Sequence, residues 1–327
     1  MRILLWHVHG SWTTAFVQGS HDYVVPVLPD RGADGVGRAR TWFWPASVTE
    51  LPPAALREQD FDVVLLQRPH ELDLVRRWLG RDPGRKLPAV YLEHNTPDQN
   101  PCTQRHILAD RTDIPLVHVT HFNELFWDNG RAPTTVIEHG IIDPSARYTG
   151  ELSRAAVVVN EPGRRGRVVG ADLVDRFLPV APVDIFGMQA RRFADAHVHA
   201  AGLAPDRLVG YEQEVPTQDQ MHTELARRRA YLHLTRWTSL GLTLIEAMQL
   251  AMPVLTLAST EAVAAVPPEA GEVSTDVNRL VQRLRTFLAE PELARACGLA
   301  ARTAALERYG LKRFLADWDV LLDGLTR

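Results

Sequence analysis

Short, almost unbroken apolar runs punctuate this chain, and they restrict its fold more than any other feature. ILLWHV (3–8), FDVVLLQ (61–67), PAVYLEH (88–94), LVHVT (116–120), AAVVVN (155–160), VDIFGM (183–188), AYLHL (230–234) and VLTLA (254–258) are too short for helices and too continuous for a half-exposed strand. Such runs are strands buried on both faces, the pattern of parallel sheets covered by helices. An amphipathic stretch at Glu71–Leu79 separates two of them, giving the strand–helix–strand rhythm of a doubly wound α/β sheet. DYVVPVLP (22–29) reads as a further strand, placed near an edge by Pro26, and RLVGYE (207–212) as another strand end. The polar, aperiodic SARYTGELSR (145–154) reads as a linker, dividing the 327 residues into two domains. Beyond Asp276, helices are expected over LVQRLRTFL, with Leu280, Leu284 and Leu288 as its buried stripe, and over PELARACGLAARTAAL. A last helix buries Leu311, Phe314, Trp318, Leu321 and Leu322.

Composition removes several function classes. The net charge is −4 and no long basic tract exists, so nucleic acid is not an expected partner. Cys102 and Cys297 lie far apart and form no metal or redox spacing. The N-terminal apolar run is too short for a signal core and no 18-residue apolar span follows, so the expected location is cytoplasmic, with membrane association peripheral at most. Arg76, Arg77, Arg81, Arg85 and Lys86 cluster late in and after a helix; a solvated helix end is the plain reading, an anionic acceptor or membrane surface the sharper one. The pairs His7/His9, His118/His121 and His197/His199 lack acidic or cysteine companions at ligand spacing, so no metal site is expected. RGADGVGRAR (31–40) has glycines spaced superficially like a nucleotide fingerprint, yet it opens no apolar helix and reads as a flexible loop able to cover an acceptor.

Chemistry concentrates in Trp237–Leu257. A strand, a turn through Gly241 and a helix over Thr243–Ala251 aim unpaired backbone amides and the positive end of a helix dipole at one point, a place for an anion. Glu246, early in that helix, can accept two hydroxyl hydrogens from a sugar diol; alternatively, Thr243 and Glu246 form a capping box. EPGRRGRVVGADLV (161–174) follows another buried strand as a basic glycine loop leading into a helix, and suits a diphosphate.

The segment TSLGLTLIEAMQLAMPVL (238–255) resembles the donor-site signature of retaining glycosyltransferases of family 4, with Gly241, Glu246, Ala247, Pro253 and Val254 in register. Thr238 stands where that family usually has Glu, Leu240 where it has Phe, and Asn160 where it has Arg. The resemblance implies an α/β GT-B fold: two Rossmann-like domains facing across a cleft, residues 1–147 for the acceptor and 148–309 for the nucleotide-sugar donor, with a C-terminal helix (about 310–327) crossing back to the first. It implies transfer of a hexosyl-type sugar from a nucleotide-diphosphate sugar to an acceptor hydroxyl with retention, without metal or other cofactor. His94, Arg165 and Glu246 are the implied catalytic residues. Gly10, Arg164, Gly166, Thr238, Ser239, Leu240, Gly241 and Leu242 join Glu246 in donor binding, and Arg164 or Arg167 would replace the cation missing at Asn160. For Tyr211 and Glu212 an exposed loop is the plain reading and the border of a base pocket the sharper one. The alternatives are a binding protein of this fold without turnover and a nucleotide-sugar epimerase.

Overall fold

The structure is a computed structural model describing residues 1–326. It divides into two compact units, Met1–Ile142 together with the segment from Tyr309 onward, and Asp143–Arg308. The division falls after residue 142, where the sequence places it after 147.

The first unit is built on β1 (Arg2–Leu5), β2 (Asp22–Pro26), β3 (Val48–Leu51), β4 (Val63–Leu66), β5 (Ala89–Glu93), β6 (Leu116–His118) and β7 (Thr134–Val136). All pair in parallel, in the order β3-β2-β1-β4-β5-β6-β7. Strand order therefore reverses between β1 and β4, and the crevice outside their carboxyl ends is where such sheets hold ligands. β2 pairs with both β1 and β3, so it lies one strand in from the edge, and Pro26 is its last residue. The connecting helices are α1 (Gly10–Phe16), α2 (Pro53–Leu56), α3 (Glu71–Leu79) and α4 (His121–Phe126). α3 has the limits read from its periodicity, closed by Gly80 in the left-handed conformation. The basic cluster after it is largely neutralised: Arg76 pairs with Asp73 and Asp82, and Arg81 with Asp60.

The second unit contains β8 (Leu152–Val158), β9 (Val183–Phe186), β10 (Leu208–Tyr211), β11 (Arg228–His233), β12 (Val254–Leu257) and β13 (Gly271–Ser274). These too are all parallel, ordered β10-β9-β8-β11-β12-β13, with the reversal between β8 and β11. Its helices are α5 (Pro162–Arg165), α6 (Ala190–Ala201), α7 (Gln218–Leu225), α8 (Leu242–Gln249), α9 (Ala262–Ala265), α10 (Val277–Ala289) and α11 (Pro291–Tyr309). The helix expected after the basic glycine loop is instead the four-residue α5 and two 3-10 turns, Gly166–Val169 and Ala171–Arg176. On α10 the buried stripe is Leu280, Leu284 and Phe287, with Leu288 only partly covered, because a helix advances 100° per residue and an i, i+4, i+8 series drifts off its face.

The last helix, α12 (Leu311–Leu325), belongs to the first unit. Phe314, Trp318 and Leu322 are its buried residues; Leu311 and Leu321, expected inward as well, are only half-buried. Trp12 packs edge-on against Phe314 and Trp318, and Phe16 against Trp318. A Cβ on Gly140 would lie 2.2 Å from Phe314, so glycine is needed where the chain passes under this helix.

Candidate active site

In the second unit the predicted donor residues converge on the β8/β11 reversal. Met188 N donates to Asn160 Oδ1 at 3.0 Å and Glu161 N to the Met188 carbonyl at 2.8 Å, tying the end of β8 to the end of β9. Asn160 therefore acts as a clamp at the strand end, where the resemblance would place a cation. Arg236 N donates to the Val168 carbonyl at 2.8 Å, and Arg167 and Arg236 both bind Asp172. Arg164 is paired with Glu161. These two arginines, nominated to replace the missing cation, are thus already partnered.

Arg165 differs. It is half-buried and has no carboxylate partner among the described residues. Desolvation, and then the neighbouring Arg164 charge, push its pKa below the ordinary guanidinium range. Glu161 offsets this only in part, and an arginine stays protonated regardless, so an arriving anion would relieve the remaining cost. Gly166 beside it takes φ +46°, a backbone region that favours glycine.

α8 begins at the same place. Its N-cap, Gly241, offers no side-chain acceptor, so no N-cap side chain meets the first-turn amides, of which that of Leu244 bonds the Gly241 carbonyl at 2.9 Å. Gly241 is required by packing, since a Cβ would lie 2.5 Å from the buried His233 ring, which burial holds neutral with its pKa lowered to about 4. Ser239 and Leu240 are buried and Leu240 faces the core, leaving its backbone as the part able to meet a ligand; Thr238 and Leu242 are half-buried. With Gly241 as N-cap, the third helical residue is Leu244, so Thr243 and Glu246 do not form a capping box. Thr243 Oγ1 instead meets Tyr231 OH at 2.9 Å.

Glu246 is only 1% exposed, and α7 supplies two of its partners. Gln218 Nε2 donates to Oε1 at 2.6 Å, and His222 Nε2 lies 3.2 Å from Oε2. The sequence reading missed both residues, because α7 (QDQMHTEL) has no apolar stripe; its one signal was the capping box of Thr217 and Gln220, present in the structure. Tyr211 stacks on Phe186 under the Arg228 guanidinium.

In the first unit, His94 follows β5 and is stacked between two other histidines. Its ring centroid lies 3.9 Å from His9 and 6.2 Å from His139, with the Trp12 edge at 5.3 Å. Desolvation is the main reason all three are held neutral: His9 falls to about 4, His139 to about 3, and His94 well below its ordinary value. His94 Nε2 and both His139 nitrogens are buried without hydrogen-bond partners. Beneath them, Glu93 is fixed by the Asn95 amide at 2.7 Å and His106 at 3.1 Å. Gly10 starts α1, and a Cβ there would lie 1.9 Å from the Trp42 ring; this glycine seats an indole. The loop carrying Trp42 is irregular but well tied, by Arg31 to Glu50 and by Arg38 to the Trp44 and Pro45 carbonyls.

No group of three or more His, Cys, Asp or Glu among the described residues is arranged to hold a metal. His7 bonds the Gly37 carbonyl, His118 meets Asn129, and His197 pairs with Asp175. No helix among the described residues is long and apolar enough to cross a membrane.

Two parallel-sheet Rossmann-like units with these strand orders match the GT-B architecture of solved glycosyltransferases. Sucrose-phosphate synthase from Thermosynechococcus elongatus superposes with a TM-score of 0.73 over 99% of both chains, at 14% identity. HepE from Anabaena, solved in complex with UDP-glucose, gives 0.69 over 99% of this chain and 100% of its own, at 13% identity. TarM from S. aureus gives 0.64 at 14% identity over 80% of this chain, which spans about half of TarM, 54% of its length. At such identities the likeness establishes the fold. Residues 162–318 match a family model described as glycosyl transferase-like, which takes in most of the second unit and its candidate donor residues. No curated protein matches the sequence.

Proposed function

We propose that this chain is a retaining, metal-independent glycosyltransferase of the family 4 type, moving a hexose from a nucleotide-diphosphate sugar to an acceptor hydroxyl. One observation supports the reading: the half-buried Arg165 without an ion-pair partner among the described residues, the start of α8 without a side-chain cap and the Glu246 carboxylate all follow the strands that flank the reversal of the second unit. A cation and free amides suit a diphosphate, and a carboxylate suits a ribose diol. The family match and the UDP-glucose in HepE support the same assignment.

In this reading the bond from the anomeric carbon to the diphosphate oxygen breaks while the acceptor oxygen bonds that carbon from the same face, and the acceptor proton passes to the departing phosphate. No protein nucleophile is needed. Arg165 and the amides around Leu242 offset the charge that builds on the leaving group. Glu246 holds the ribose. His94, kept neutral, can both donate and accept a hydrogen bond and is assigned to a sugar hydroxyl. Thr238, which lacks a carboxylate, and Asn160, whose side-chain oxygen is engaged by Met188, favour a second reading: a donor-binding protein without turnover.

The test is thermal stabilisation of wild type and Glu246→Ala by UDP, GDP and dTDP, followed by donor turnover. A nucleotide at about a hundred times its dissociation constant adds roughly 2.7 kcal/mol. Stabilisation of wild type that the substitution removes supports the donor site, and absence of stabilisation by any nucleotide rejects it. Sugar transfer, or slow donor hydrolysis, then separates the enzyme from the binding protein.

A further inference from the structure

The Glu246 carboxylate is buried in the free protein and already occupied. Gln218, the first residue of α7, directs an amide N–H at Oε1, and His222, one turn on, faces Oε2. The two contacts differ in kind. His222 is buried, whereas Gln218 is half-exposed and sits on three flexible side-chain bonds. The α7 backbone around them is fastened: Arg147 binds Asp219 at 2.6 Å, the Asp219 carbonyl at 3.2 Å and Thr223 at 3.0 Å. Of the two side chains, Gln218 is the one that reaches solvent.

We propose that Gln218 substitutes for a ribose hydroxyl, donating to Glu246 Oε1 in the free protein the hydrogen bond that a nucleotide diol donates in the complex. This rests on the donor-site reading above. On binding, the diol takes over Oε1 and Gln218 swings out to solvent, while His222 keeps its hold on Oε2 and fixes the orientation of the carboxylate. A ligand without ribose hydroxyls has nothing to replace the amide bond with, and Gln218 stays in place. Gln218 is therefore a competitor that sets the affinity for ribose by holding the carboxylate in the free protein, and His222 a positioning residue.

Isothermal titration of UDP and GDP, each beside its 2′,3′-dideoxy analogue, tests this on the full chain. Removing the competing donor in Gln218→Ala tightens binding of the ribonucleotide about five-fold. Gln218→Met, of similar size with no donor, gives the same result if Ala perturbs folding. The dideoxy analogue shows no gain, and in a Glu246→Ala background the Gln218 substitution has no effect on either ligand. His222→Ala weakens the ribonucleotide. If wild type binds a nucleotide and both Gln218 variants bind it equally or more weakly, the substitution role is overturned while the donor site stands. If wild type binds neither UDP nor GDP, the donor-site reading fails and the role of Gln218 fails with it.

Discussion

The histidines stacked in the first unit should make that unit acid-labile well above the carboxylate range. His139 is 2% exposed with both ring nitrogens buried and unpartnered, so only its neutral form suits the fold, and its pKa is lowered from 6.5 to about 3. In the unfolded chain it takes a proton near 6.5. Between those values the unfolded state holds more protons, so stability rises with pH and is lost as pH falls below 6.5. Taking the unfolded protein from about pH 7 to about pH 4.5 costs His139 roughly 2.5 kcal/mol of fold stability. His139→Leu, similar in volume and without a titrating group, should lose about 2.5 kcal/mol less than wild type over the same interval. Urea unfolding followed by tryptophan emission reads this unit selectively, since of the eight tryptophans only Trp237 lies in the second. Comparing the pH-induced change within each protein cancels the packing cost of the substitution. Equal losses in both proteins would refute the argument, because they would mean that His139 binds its proton alike folded and unfolded.

Three further outcomes follow from particular contacts. Gly10→Ala drives a methyl into the Trp42 ring and should cost about 1–3 kcal/mol, read as a lowered melting temperature that Trp42→Ala in the same chain restores. Asp184, fully buried, holds Arg154 at 2.8 Å and the buried Arg228 at 2.7 Å; Asp184→Asn leaves Arg228 short of its main counter-charge and should destabilise the second unit by about 3–5 kcal/mol in urea. Arg165→Ala should weaken UDP roughly ten-fold or more in titration calorimetry while leaving uridine unchanged, since only the diphosphate meets the guanidinium.

What could be read from the sequence follows from what each segment buries. Val63–Leu66 and Ala89–Glu93 are covered on both faces, so they stand out as largely apolar runs whose limits fall within two residues of the strands. β13 (GEVS) closes a sheet edge with two half-exposed residues and carries no apolar run, so periodicity does not mark it. Pro26 put its strand near an edge, and β2 lies next to the edge strand β3, with the proline as its last residue. Arg165 stood out as a basic residue in a glycine loop, yet so did Arg164 and Arg167. Only tertiary structure separates them, because the acids that occupy the other two, Glu161 and Asp172, are distinguished by reach rather than by spacing.

Glu246 shows most clearly where local inference stops. Sequence left two roles for it, a cap on its own helix or an acceptor for a diol, and spacing from Thr243 cannot choose between them. The choice lies 13 residues upstream, at His233: its buried ring leaves no room for a Cβ at Gly241, the chain turns there, and α8 starts at Leu242. That register moves Glu246 past the first turn, where a carboxylate has no free amide of its own helix to satisfy. A carboxylate buried to 1% needs donors, and α7 supplies Gln218 and His222 from 28 and 24 residues away. On the exchange proposed above, the structural partner and the ligand are successive occupants of one carboxylate, and the order of occupation is what a Gln218 variant measures.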